Sequence, residues 1–231
     1  MSMPNDGRRE LDSVVVNIEL TLASIIQGVA LFFLTDNARA ALAATPKASV
    51  FIYIASGLCV IFIFWSRSVI HTLTLIRWPL EFGHNFFYIA CALGESFLFT
   101  RLAQPAAWFQ LSAVYAGIVW LLFIYDMRLI HSRIADARDD SERALYLRTR
   151  TDQLLNIWAL VPLLFFLNLG AVLLLWRRRD FFVARGGDVW LAIAQLVSFV
   201  GYLLYTGRYF AALASLILRS RTTSWNQLEG R

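Results

Sequence analysis

Glu81, His84, Asn85, Tyr88 and Glu95 sit close together in a stretch that is otherwise almost wholly apolar. With about 100° of turn per helical residue they fall within about 100° of one another, so one helix carries them as a single polar stripe. Carboxylates, an imidazole, an amide and a phenol in that arrangement suit a pathway for a cation or small polar solute. The plainer reading places Glu81 and His84 at one membrane interface and Glu95 at the other. A milder stripe is made by Asn17, Thr21, Ser24 and Gly28, with Gln27 beside it. Small and hydroxyl residues at this spacing serve close helix packing as well as conduction. Gln195, Ser198, Tyr202, Thr206 and Tyr209 also share a face, and a tyrosine-rich face suits interfacial anchoring.

Catalytic patterns are weak by comparison. Glu81-x-x-His84 has the spacing of half a carboxylate-bridged di-metal site, but the chain has no second such pair. His71 and His84 fall near the same membrane face, where a pair of histidines can hold a haem, yet interfacial placement explains both. No His-Glu-x-x-His, Gly-x-Ser-x-Gly or phosphate-cradling glycine loop is present. Cys59 and Cys91 lie inside apolar runs without the spacing of zinc ligands, and read as packing residues. No enzymatic activity, metal or cofactor is therefore expected.

The solvent around these stripes follows from composition. Of 231 residues 58% are hydrophobic and 16% charged, and a mean hydropathy of +0.58 exceeds what a water-soluble domain needs for one core. Apolar runs long enough for a hydrocarbon layer about 30 Å thick recur between short charged connections. They predict spans at 13–34, 48–70, 78–99, 105–130, 153–176 and 189–207, an all-α six-transmembrane-helix bundle. Each run is continuous rather than alternating, which favours helices over barrel strands. Residues 1–12 and 219–231 read as cytoplasmic tails flanking a membrane domain at 13–218. Arg8 and Arg9 before the first run and Ala38-Arg39-Ala40 after it imitate a secretory signal. The run is too long and too polar for one, carrying Asn17, Glu19 and Gln27.

Lys and Arg cluster on the side of the N-terminus and of the 128–150 connection, which predicts a cell inner-membrane protein with both termini cytoplasmic. Arg177, Arg178 and Arg179 run against that bias. The same bias accounts for the net charge of +5, and acids interleave the arginines of the connection, so no nucleic-acid partner is expected. Arg128, Arg133, Arg138, Arg143 and Arg148 recur every five residues, but that spacing rotates each by about 140° and makes no voltage-sensing stripe. The stretch at about 132–151 reads instead as a cytoplasmic helical extension laced by local pairs such as Asp139 with Arg143. Arg133, Arg138, Asp139, Asp140 and Arg143 are its candidates for docking a soluble partner. Arg208 reads as snorkelling at the cytoplasmic interface, where the last span leaves the membrane near Gly207.

Six spans in this length, the run Ile61-Phe62-Ile63-Phe64-Trp65 closing span two, Arg77-Trp78 leading into span three and a basic connection before span five carry a resemblance. In that layout the chain resembles the bacterial relatives of the endolysosomal potassium channel with the Phe-Ser-Asp signature. The stretch corresponding to the signature reads Ala23-Ser24-Ile25-Ile26-Gln27-Gly28, without Phe-Ser-Asp. The resemblance implies an oligomeric cation pathway lined by span one. Two function classes follow: an ion or small-solute pathway built by a homo-oligomer in the lipid bilayer, and a non-conducting sensor or anchor that docks a soluble cytoplasmic partner.

Overall fold

The computed structural model describes residues 5–44, 48–77, 82–137 and 139–229. Among them every regular element is helical: α1 (Asn5–Ala44), α2 (Ala48–Thr74), α3 (Phe82–Phe99), α4 (Pro105–Ala135), α5 (Asp140–Leu155), α6 (Val161–Arg177) and α7 (Asp188–Glu229). Wide π turns at Asn156–Leu160 and Asp180–Ala184 complete the list. Five helical stretches are long and apolar enough to cross a membrane: Glu10–Ala44, Ser49–Thr74, Pro105–Ala135, Asp140–Arg177 and Asp188–Leu218. The third predicted span is not among them. α3 has 18 residues, about 27 Å of helix, and His84, Asn85 and Glu95 dilute its apolar character, although it packs within the bundle. The last predicted span is longer than expected, since α7 runs unbroken past Gly207 and keeps its apolar character to Leu218.

The helices form a ring. α1 packs on α2 and α3, α3 on α4, α4 on α6, and α7 closes the circle against α2, with a lighter contact to α6. Local chemistry sets the ends. α4 starts at Pro105, whose missing N–H costs nothing in a first turn. α5 starts where the Asp139 carboxylate accepts the Glu142 N–H at 2.7 Å, an N-cap in the first turn. The turn before α7 uses Gly186 at φ 73°, a conformation glycine adopts without strain. α5 and α6 are one helical rod interrupted by the π turn. There the Val161 N–H reaches back five residues to the Asn156 carbonyl, and Pro162 has no N–H to give the Ile157 carbonyl. The Trp120 indole N–H supplies that bond at 2.9 Å from α4.

The packing is inverted relative to a protein in water. Ile25, Phe32, Phe51, Phe62, Phe97, Leu121, Leu163, Phe166, Leu173, Val197 and Leu204 all face outward. Glu19, Gln27, Arg67, His71, His84, Glu95, Asp126, Asp152, Asn168 and Gln195 face inward. An apolar belt of that extent has no counterpart on a water-soluble monomer, whereas hydrocarbon accepts it freely. Towards the end where α7 begins, the core is aromatic, with Tyr53 in contact with Trp108 and Phe109. Towards the end where α5 begins, it becomes charged.

Candidate functional site

Three helices converge on Asp126. α2 presents Arg67 and His71 one turn apart, α3 presents His84, Tyr88 and Glu95 along its buried face, and α4 contributes Asp126 itself. His84 Nδ1 lies 2.9 Å from Asp126 Oδ1 and His71 Nδ1 lies 3.1 Å from Oδ2, so one carboxylate bridges two imidazoles. Asp126 is 0% exposed. A carboxylate offers only lone pairs, so the hydrogen-bonded His84 ring carries a hydrogen on Nδ1, while His71 Nδ1 faces Oδ2 at ion-pair distance without closing a hydrogen bond. That leaves His71 Nε2, buried and without a protein partner, as the outward atom of its ring.

A second group lies beside the first. Arg67 forks onto Asp152 at the foot of α5, with Nη1 3.2 Å from Oδ1 and Nη2 2.6 Å from Oδ2. The Tyr205 hydroxyl donates to the same Oδ1 at 2.6 Å. The guanidinium also lies over the rings of Phe123, at 5.3 Å, and Tyr209, at 5.8 Å. This two-point geometry compensates charges that would each cost about 2.5–3.5 kcal/mol at mid-membrane. Next along the rod, the Tyr202 hydroxyl donates to Asn156, and Gln153 donates to the Phe123 carbonyl at 2.8 Å.

Polar groups continue towards the other end. The Tyr115 hydroxyl donates to Glu95 Oε1 at 3.0 Å. Gln27 approaches the same carboxyl and Tyr88, while Oε2 closes no hydrogen bond. Beyond it, Gln195 knots three helices. Its Oε1 accepts the Trp108 indole N–H at 2.7 Å, and its amide donates to Ser112 at 3.2 Å and Asn168 at 2.6 Å. At the far end the Tyr53 hydroxyl donates to Asp188 at 3.1 Å. A cavity of about 60 Å³ lies between these groups, with Arg67, Ser68, His71, His84, Tyr88, Ser112, Tyr115, Asn168 and Tyr202 in its wall. The arrangement is a column of buried hydrogen-bonding and ionisable groups inside an apolar shell, beside a water-sized cavity whose wall is mostly apolar side chains such as Phe64, Leu98, Leu122 and Phe199.

The chain matches no family model, no curated protein and no solved structure. The site therefore has to be read from its own geometry. Among the described residues no group of three or more His, Cys, Asp or Glu could hold a metal ion.

The predicted stripes are placed unequally. His84, Tyr88 and Glu95 do share the buried face of α3, and Asn85 at its edge donates to Glu19 at 3.0 Å. Glu81 lies outside the described residues. On α1, Asn17, Thr21 and Ser24 face outward, and the two hydroxyls bond back to the carbonyls of Asn17 and Leu20. Glu19 and Gln27 are the polar residues that α1 turns inward. On α7, Gln195, Tyr202, Thr206 and Tyr209 are buried, while Ser198 is half-buried and Arg208 is exposed.

In the connection, Arg143 and Asp140 are exposed, and Arg133 is half-buried, its Nε–H donating to the Leu75 carbonyl at 3.0 Å. The Asp139 side chain caps α5, and Arg138 lies outside the described residues. Arg67, Asp126 and Asp152 are central to the site but absent from the predicted set. Each lies near the end of a predicted span, where a charge reads as interfacial. The available signal was the Arg67 and His71 spacing of four, which puts a cation and an imidazole on one face of α2.

Proposed function

We propose that the chain is an inner-membrane pathway for a cation or small polar solute, running through the interior of the helix ring, with both termini in the cytoplasm. The observation that carries this reading is the full burial of Glu95 and Asp126, each 0% exposed, beside a cavity within an apolar bundle. Ionisable groups at such depth are costly, and proteins retain them where something charged is bound or moved. The outward stripe of Asn17, Thr21 and Ser24, next to the unobstructed Gly28, suits close approach of a second copy, which makes this a proposed homo-oligomer. The test is flux through vesicles containing the purified chain. Glu95→Gln should lower flux while membrane insertion is unchanged, and equal flux in variant and parent would remove the reading.

A second reading is a sensor or anchor, favoured by one observation: Asp152, at the foot of the cytoplasmic rod α5, is ion-paired with Arg67 at the cavity wall. A soluble partner docked on the exposed Asp140 and Arg143 would push on that rod. Charge reversal at both positions should abolish capture of the partner without unfolding the bundle; retained capture disposes of this alternative.

A further inference from the structure

We infer that the species moved is the proton, exchanged between Glu95 and the His71–Asp126–His84 cluster through the water-sized cavity between them. This rests on the pathway reading and narrows it. The cavity volume of about 60 Å³ takes a few waters, each needing about 10–15 Å³. It offers a metal cation little. An alkali ion passes a filter only where a ring of oxygens replaces its hydration shell. Here three lining oxygens are already engaged, Tyr115 with Glu95, Asn168 with Gln195 and Tyr202 with Asn156, and the Tyr88 hydroxyl, which has no protein partner, is far short of a coordinating ring on its own. Among the described residues the lining includes Arg67 and no carboxylate. The acids stand behind the wall, Glu95 reached through Tyr115 and Asp126 through the two histidines.

A proton needs none of that coordination, because side chains and water carry it in turn. The acceptor is in place. His71 lines the cavity, its Nδ1 faces Asp126 Oδ2 at 3.1 Å, and its Nε2 has no protein partner. In the transfer the Glu95 carboxyl gives its proton to the Tyr115 oxygen, the phenol gives its own to cavity water, the water passes one on, and His71 Nε2 takes it up. The products are a Glu95 carboxylate and a His71 imidazolium, whose charge Asp126 opposes. The cycle closes when the imidazolium loses one proton on the α5 side of the cavity, which restores the neutral ring, and the Glu95 carboxylate takes one up from the Asp188 side, so that one proton has crossed. Glu95 lies on the side of the cavity towards Asp188 and the cluster on the side towards α5, so the two stations divide the bundle along its length.

The experiment uses the full chain in vesicles of phosphatidylcholine with phosphatidylglycerol, a valinomycin-clamped potassium gradient and a trapped pH dye, with rubidium uptake measured in matched vesicles without valinomycin. The expected result is potential-driven proton flux well above that of empty vesicles, slowed in D₂O, with rubidium uptake at the empty-vesicle level. Glu95→Gln and His71→Gln should each cut the proton flux about tenfold or more, with unchanged elution in detergent. Rubidium uptake without proton flux would overturn the proton assignment and leave the pathway standing; absence of both would remove both. Full proton flux in both variants would also overturn the assignment. Should either variant elute as aggregate, the D₂O effect and the rubidium comparison on the parent chain still decide.

Discussion

At the scale of residues, the buried charges make the clearest demands. Arg67 and Asp152 have side chains 4% and 2% exposed, so neither has water to fall back on. Asp152→Asn leaves a buried guanidinium short of its counter-charge and should lower stability by about 3–5 kcal/mol. Arg67→Met combined with Asp152→Leu should recover much of that loss, because an apolar pair of similar size avoids the desolvation cost. Thermal unfolding in detergent of the two single variants and the double variant checks this, and additive losses would contradict it. Gln195 is a neutral case of the same kind. Gln195→Leu strands the Trp108, Ser112 and Asn168 groups at once, each at about 1–3 kcal/mol, and should unfold well below the parent.

At the scale of elements, the π turn is the feature with most consequence. It exists because the rod formed by α5 and α6 accommodates one residue more than a regular helix, and Trp120 satisfies the carbonyl that Pro162 leaves bare. Trp120→Phe keeps the ring contact with Phe165 and removes the donor, so it should cost about 1–3 kcal/mol in the same unfolding measurement. Deleting the exposed Ala159 should restore a regular helix while both flanking faces keep their phase. Expression and monodispersity close to those of the parent are expected, whereas deletion of a residue mid-way along α2 should abolish both.

The elements also show where sequence reading succeeds and where it stops. The apolar runs are legible because each helix meets lipid on one side, and the α3 stripe is legible because His84, Tyr88 and Glu95 keep helical spacing. The orientation of α1 is not legible from spacing alone. Its outward Asn17, Thr21 and Ser24 are as regular as its inward Glu19, Ala23 and Gln27, and only the neighbours α2 and α3 decide between them. Asp126 escaped for a different reason: a lone acid near the end of an apolar run has the same appearance at an interface as in a core.

At the scale of the molecule, polar groups run inside the ring from Arg67 and Asp152 past Asp126 and Glu95 to Gln195 and Asp188. On the proposed topology, with both termini cytoplasmic, a membrane-impermeant maleimide should label Asp140→Cys only in opened cells and Ala43→Cys in intact ones, on a background lacking Cys59 and Cys91. Labelling of both positions in intact cells would invert or break the proposed topology.

That inverted arrangement also governs which changes the chain can absorb. Along the outer belt, Phe62, Leu121 and Leu173 are about half exposed and meet few fixed neighbours, so any apolar replacement of roughly similar bulk should survive in a saturation library. The same library should be nearly bare at Gln195 and Asp126, where a replacement must answer several fixed neighbours at once. Sequence drift in this protein is thus expected to accumulate on the greasy outside, and its ancestry should be most readable in the few hydrophilic letters it keeps within.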